Sequence, residues 1–229
     1  MISPNQDDRP AGVPIDHLVL HYTGMRDAPA AIGRLCDPTA KVSAHYVIET
    51  DGRIHGLVPE VKRAWHAGVS YWRGVRGLND RSVGLEIVNP GHEFGYVDFP
   101  DAQIEAVIGL CREILGRHPI PAWNVVAHSD IAPDRKQDPG ELFPWARLAV
   151  AGIGLWPNGP AMAGEPLGLL GAIGYDTSFP PAVVIAAFQR RFRPAQVDGL
   201  LDTATVVRIA EVARTYWEAG TGGLGRDSG

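Results

Sequence analysis

Three side chains able to hold a metal stand where apolar runs give way to polar ones. His21 lies near the end of Leu18-Val-Leu-His-Tyr-Thr23, and His128 follows the run Val125-Val-Ala127. Asp138 comes ten residues later, in Arg135-Lys-Gln-Asp-Pro-Gly140. Two imidazoles and one carboxylate from separate segments make the ligand set of an open zinc site, with one position left for water. Each residue alone also has a structural reading, as a satisfied hydrogen-bonding group at a strand end. Glu86 interrupts the apolar stretch Ser82-Val-Gly-Leu-Glu-Ile-Val88, where a carboxylate needs either an exposed edge or a site to face. Lys136 precedes Asp138 by two residues, so in an extended loop both side chains share a side. Zinc held in this way lowers the pKa of a bound water to about 7 and makes it nucleophilic near neutral pH.

The elements that position these residues can be read from periodicity. Residues 15–23 form a buried strand, and Asp27 caps a helix running to Leu35 with Pro29 in its first turn. His45–Thr50 and Arg53–Val58 read as a hairpin closed by Asp51-Gly52 in a type I′ turn. Ser82–Val88 is a further strand. Asp101–Leu115 is an amphipathic helix behind an aspartate cap, and Trp123–Ala127 is a last short strand. This alternation predicts an α/β catalytic domain over 13–150, a mixed sheet flanked by helices. Met1–Pro14 reads as a polar arm. Residues 152–166 carry Gly152, Gly154, Gly159, Gly164, Pro157, Pro160 and Pro166, the composition of a linker. Helical patterns at 167–173, 181–192 and 203–217 then predict a small all-α three-helix domain over 165–218, with Val184, Phe188 and Val207 packed. The end, from Gly220, reads as a flexible tail. Gly220-Thr-Gly-Gly-Leu-Gly225 satisfies G-x-G-x-x-G but follows a helix, so it is no dinucleotide fingerprint.

Composition narrows the partners. The 229 residues are 45% hydrophobic and 21% charged, an ordinary globular balance. Twenty-one Lys and Arg against 26 Asp and Glu give a net charge of −5, which argues against binding nucleic acid through bulk charge. Cys36 and Cys111 are too few for a disulfide framework and read as packed thiols. The first ten residues carry neither a basic nor an apolar signal segment, and no stretch is long enough to span a bilayer. A cytoplasmic location is the expectation, with the periplasm as the alternative.

Six segments carry a resemblance: Leu20-His-Tyr-Thr23, Ser43-Ala-His-Tyr-Val-Ile48, Arg63-Ala-Trp-His-Ala-Gly68, Ser82-Val-Gly-Leu-Glu86, Ala127-His-Ser-Asp130 and Lys136-Gln-Asp-Pro-Gly140. In this order, over about residues 13–147, the chain resembles the zinc-dependent N-acetylmuramoyl-L-alanine amidases of the amidase-2 type, the group that contains the anhydromuropeptide-recycling enzyme. The resemblance implies zinc on His21, His128 and Asp138, acid–base duty on Glu86 and oxyanion stabilisation by Lys136. Relatives in phage lysozymes and peptidoglycan-recognition proteins use a cysteine ligand and a hairpin tyrosine. Asp138 stands in that ligand position here and Ala44 in the tyrosine position, so Tyr46 carries no catalytic role.

Arg63, Trp65, His66 and Asn89 are candidates for gripping the muramyl-peptide, His66 alternatively supporting a loop. His17 reads as a support behind the site or as structural, and His45, His55, His92 and His118 read as structural. Ala187-Phe-Gln-Arg-Arg-Phe-Arg193 and Val197-Asp-Gly-Leu-Leu-Asp-Thr-Ala-Thr205 resemble the three-helix peptidoglycan-binding domain, with a structural appendage as the alternative. The expected substrate is a muropeptide, in 1,6-anhydro form, or intact peptidoglycan. A non-catalytic peptidoglycan receptor and a stem-peptide peptidase are the rival functions.

Overall fold

The computed structural model describes residues 1–221. In chain order its elements are β1 (Gln6–Asp8), β2 (His17–Tyr22), α1 (Ala28–Leu35), β3 (Tyr46–Ile48), β4 (Ile54–Gly56), β5 (Lys62–Ala64), β6 (Tyr71–Trp72) and β7 (Val75–Arg76). There follow β8 (Ser82–Ile87), α2 (Gly91–Phe94), α3 (Asp101–Arg117), β9 (Val125–Ala127), α4 (His128–Ile131), α5 (Trp145–Val150), α6 (Pro166–Ile173), α7 (Pro181–Phe192) and α8 (Thr203–Thr221). The main sheet runs β4-β3-β8-β2-β9, with β4 antiparallel to β3 and the other pairings parallel. It is the mixed sheet the sequence predicts.

The two faces of this sheet bury different partners, because side chains alternate along each strand. Leu18, Leu20, Val83, Leu85, Ile87, Val125 and Ala127 pack with Ile104, Val107, Leu110, Cys111 and Ile114 of α3. Val19 and Val126 point the other way and join a core with Leu170, Ile173, Val184, Phe188, Ile209 and Val212 from α6, α7 and α8. Each such side chain contributes about 1.5–3 kcal/mol on burial. The C-terminal helices therefore complete the core of the sheet.

Several expectations are corrected. The segment Met1–Pro14 is no loose arm: β1 pairs with β5, Ser3 and Asn5 are buried, and the Arg9 guanidinium donates to the carbonyls of Glu60, Asn79, Asp80 and Ser82. The hairpin closes through a three-residue loop. The Gly52 amide donates to Glu49 O and the Glu49 amide to Arg53 O. Only Gly52, at φ +89°, is left-handed, which is a turn followed by a bulge rather than type I′. A Cβ at Gly52 would also stand 2.8 Å from Ala102 O.

Asp27 caps α1 as expected, its Oδ1 accepting from the Ala30 amide at 2.8 Å. Asp101, by contrast, is the first residue of α3, behind Pro100, and pairs with Arg147. The glycine- and proline-rich stretch after Gly152 is tied down: Ile153 is buried, Trp156 packs on Phe192, and the Met162 amide donates to Ala210 O. Val184 and Phe188 are buried as expected, whereas Val207 faces solvent. Helix α8 continues through Gly220 and Thr221, and the rest of the expected tail, with most of the glycine motif, lies outside the described residues.

Candidate active site

Strand register brings the candidate residues to one level. His21 of β2 is paired with Glu86 of β8, and Leu20 is paired with Ala127 of β9, so His128 emerges one step beyond, beside His21. All three belong to the face opposite α3, at the carboxyl ends of the parallel strands, where α/β sheets place their ligands. The face reads Ser82, Gly84, Glu86 along β8, alternating with buried Val83, Leu85 and Ile87. Glu86 thus follows the sheet's alternation and needs no break in the strand.

The loop after α4 returns Asp138 to this level, and its carbonyl accepts from the Ser129 amide at 3.0 Å. His21 Nδ1, His128 Nδ1 and Asp138 Oδ2 then lie 2.9, 2.9 and 3.0 Å from one another, all three residues buried. The far nitrogens show what these atoms are. His128 Nε2 faces Ala67 O at 3.3 Å, and a carbonyl only accepts, so Nε2 carries the hydrogen and Nδ1 presents a lone pair. Three lone-pair donors pointing at one spot could hold a shared cation, and the set suits a divalent metal.

His21 is held in the same tautomer by a directional chain. Its Nε2–H donates to His66 Nδ1 at 3.0 Å, His66 Nε2–H to Ser82 Oγ at 3.1 Å, and Ser82 Oγ–H to Leu78 O at 2.6 Å. Such outer hydrogen bonds fix ligand orientation. Gly84 makes room for this chain, because a Cβ there would stand 2.4 Å from the His66 ring. The backbone amides of His66 and Ala67 both donate to Asn79 Oδ1. One loop therefore sets both imidazoles.

Burial and charge tune the site. His21 is pushed down to about 4 by burial and by His128. Burial raises the Asp138 carboxyl, but positive charge shared with His128 and His21 outweighs it and holds the group ionised, well below its usual range. Glu86 is driven well above the ordinary carboxylate value by burial and by the negative charge of Asp138, with Lys136 opposing. Its Oε2 is shut off from solvent and has no hydrogen-bond partner. A carboxyl poised in this way is suited to proton transfer.

Glu86, Lys136, His128, Asp138, Trp65 and His66 line one cavity of about 460 Å³, which extends past Thr23 to Arg34. Arg63 and Asn89 do not line it. The Arg63 guanidinium is engaged by Asp7 and Asp80, and the Asn89 side chain spans Val97 O and the Gly91 amide. Both residues are engaged in contacts within the fold. His66, expected as either groove wall or loop support, supports His21.

Among the other histidines, His45 holds the Gly84 amide through Nδ1 and is pushed down to about 3 by burial and Arg9. His92 lies at the cavity rim, Nδ1 facing Tyr22 Oη at 2.9 Å. Tyr46 donates to Glu60, away from the cavity, in keeping with its non-catalytic reading. The sequence reading missed the His66–Ser82 chain and the Ala67 carbonyl. The alternation Ser82, Gly84, Glu86 was the signal available for the first.

A mixed sheet presenting two imidazoles, a carboxylate and an acid at its carboxyl edge, with a cluster that could hold a metal, has the make-up of a hydrolase. The chain belongs to the N-acetylmuramoyl-L-alanine amidase family, whose model matches residues 11–141. It is 41% identical over 219 residues to the N-acetylmuramoyl-L-alanine amidase AmiD of Escherichia coli, covering 82% of this chain and 78% of that one. The structure of AmiD in complex with anhydro-N-acetylmuramic acid-L-Ala-D-gamma-Glu-L-Lys superposes with a TM-score of 0.77 at 38% identity, over 93% of this chain and 92% of that chain. AmpDH3 of Pseudomonas aeruginosa, in complex with an anhydromuramic pentapeptide, gives a TM-score of 0.78 at 35% identity, covering 93% and 98%. The 1,6-anhydro-N-acetylmuramyl-L-alanine amidase AmpD of E. coli is 44% identical over 110 residues, 48% of this chain and 58% of the relative.

Proposed function

We propose that this chain is a zinc-dependent amidase that hydrolyses the amide between the lactyl group of 1,6-anhydro-N-acetylmuramic acid and the L-alanine of the stem peptide. The observation that carries this reading is the convergence of His21 Nδ1, His128 Nδ1 and Asp138 Oδ2, with His128, Asp138 and the unpartnered Glu86 carboxyl lining one cavity. Zinc, when bound, supplies a Lewis acid that polarises the amide carbonyl and makes water nucleophilic near neutral pH. Glu86 takes the proton of the attacking water on its carboxylate and returns it to the departing alanine nitrogen. Its raised pKa suits both transfers, because the same carboxyl must accept and then give. The Lys136 ammonium balances the charge that develops on the carbonyl oxygen. Trp65 offers an aromatic wall to the sugar, and Arg34, at the far end of the cavity, offers a cation to stem-peptide carboxylates.

The anhydro form is favoured because AmiD and AmpDH3, similar along nearly their whole length, were solved with anhydro ligands. Such substrates are soluble products of wall turnover, and we place the reaction in the cytoplasm with that released pool. Among the described residues no helix is long and apolar enough to cross a membrane. The test is product mass from defined muropeptides with and without the anhydro ring, alongside intact sacculi. Release of a free peptide beginning with L-alanine, fastest from the anhydro substrate, is expected. Release from sacculi alone, together with recovery beside a periplasmic marker, would transfer the enzyme to the wall. No turnover of any substrate would leave the receptor reading.

A further inference from the structure

The metal ligand His128 is the first residue of α4, a helix of four residues. One turn of helix does not hold itself, since nucleation is unfavourable without outside support. Its support comes from a carboxylate two residues on. Asp130 is fully buried, and its Oδ2 accepts from the Ala127 amide at 2.9 Å, immediately before His128. The same carboxylate accepts from Tyr175 Oη at 2.7 Å and from Arg191 Nη1 at 2.6 Å. Arg191 also donates through Nη2 to Val125 O at 3.1 Å, and its guanidinium lies 3.9 Å from the centre of the Trp145 ring. Tyr175 follows α6, and Arg191 lies on α7. Two residues of the C-terminal helices thus grip the strand-to-helix turn on both sides of the ligand. The grip reaches Asp138 as well, because the Ser129 amide of the same turn holds the Asp138 carbonyl.

We propose that Arg191 and Tyr175 are positioning residues for the metal centre, locking Asp130 so that α4 presents His128 and anchors Asp138. The C-terminal helices are then part of the metal site, whatever else they touch. A buried ion pair is weak evidence of stabilisation on its own, since apolar replacements of similar volume are often tolerated. What distinguishes this pair is its place: every polar contact of the Asp130 carboxylate is to the turn that carries a ligand or to the helices behind it.

The inference rests on the metal-dependent reading of the site, and its test separates the two. The full-length chain is compared with Arg191→Met and Tyr175→Phe, well below the unfolding temperature. Zinc affinity is read by competition with a chelator, and the d–d spectrum of the cobalt-loaded protein is recorded. Outer hydrogen-bond partners of metal ligands are commonly worth about 10–100-fold in affinity. Arg191→Met is expected near the top of that range and Tyr175→Phe near the bottom. Both are expected to shift the cobalt spectrum and to lower kcat with KM little changed. A folded Tyr175→Phe protein with unaltered zinc affinity and cobalt spectrum overturns the proposal, even if Arg191→Met fails to fold. A lowered melting temperature with unchanged metal affinity in either variant also overturns it, assigning the residues to bulk stability. Wild-type protein that binds zinc tightly but turns over no muropeptide contradicts the amidase reading and leaves this test intact.

Discussion

The two halves of the site are built on different principles. His21 and Glu86 sit on adjacent central strands, and their relative position follows from backbone pairing that the whole sheet enforces. His128 and Asp138 sit on a one-turn helix and the loop after it, where backbone pairing ends and side chains from distant helices take over. A ligand in the middle of a parallel sheet needs little beyond register and a tautomer-setting partner such as His66. A ligand at a sheet exit needs an external clamp. The difference explains why a catalytic fold of this kind gains from a second group of helices packed against its exit.

The largest effect falls where the halves meet. His21→Ala and His128→Ala each leave two ligands, too few for a stable open site, so both are expected to lose metal and activity together. Metal content and turnover of the purified variants check this, and full activity in either removes that residue from the metal site. Next come the two groups proposed to act in catalysis, one from each half. Lys136→Ala is expected to lower kcat by about 10²–10³ and Glu86→Gln by about 10² or more, both with zinc retained. A rise in KM at unchanged kcat would reassign either residue to substrate binding.

A smaller effect joins the halves electrostatically. Lys136 pulls the Glu86 pKa down against burial and Asp138. Glu86 must be ionised to accept a proton, so activity climbs as pH rises through its pKa. Removing Lys136 raises that pKa, and the acid limb of kcat/KM in Lys136→Ala is expected to move to higher pH. An unmoved limb would uncouple the two groups.

The smallest effect is on stability. Glu86 has a folded-state pKa above its unfolded value of about 4.3. Its contribution is fully favourable below the unfolded pKa and is lost as pH rises through the folded pKa. Above the unfolded pKa the group costs stability, and Glu86→Gln is expected to raise Tm by a few degrees in metal-stripped protein, the usual trade at active sites. A fall in Tm would mean that the carboxylate supports the fold.

Legibility in the sequence follows the same division. His21, Glu86, His128 and Asp138 could be read because local runs of apolar residues fix where strands end, and metal chemistry restricts what can stand there. The resemblance of the surrounding segments then supplied their roles. The engagement of Arg63 was not legible, because it depends on Asp7, 56 residues away, through a β1–β5 pairing that no local pattern announces. For the same reason Met1–Pro14 looked like an arm. The hairpin was legible but its turn was not, since Asp-Gly fits both a two-residue turn and the bulged loop adopted here. The C-terminal helices were legible as helices, while their docking was not. Arg191 and Asp130 are 61 residues apart, and only the fold shows that a basic residue in an apolar helix faces the ligand-bearing turn.

The central claim is that one metal ion, held by His21, His128 and Asp138, carries hydrolysis at the lactyl–alanine bond. Zinc titrated into chelator-stripped protein, with product mass followed on a defined 1,6-anhydro-muropeptide, tests it most directly. The account predicts no turnover at zero zinc and a rate that climbs linearly to one equivalent and then levels. The product is an intact stem peptide beginning with L-alanine. Full turnover in the stripped protein, or a cut within the stem peptide, would contradict it.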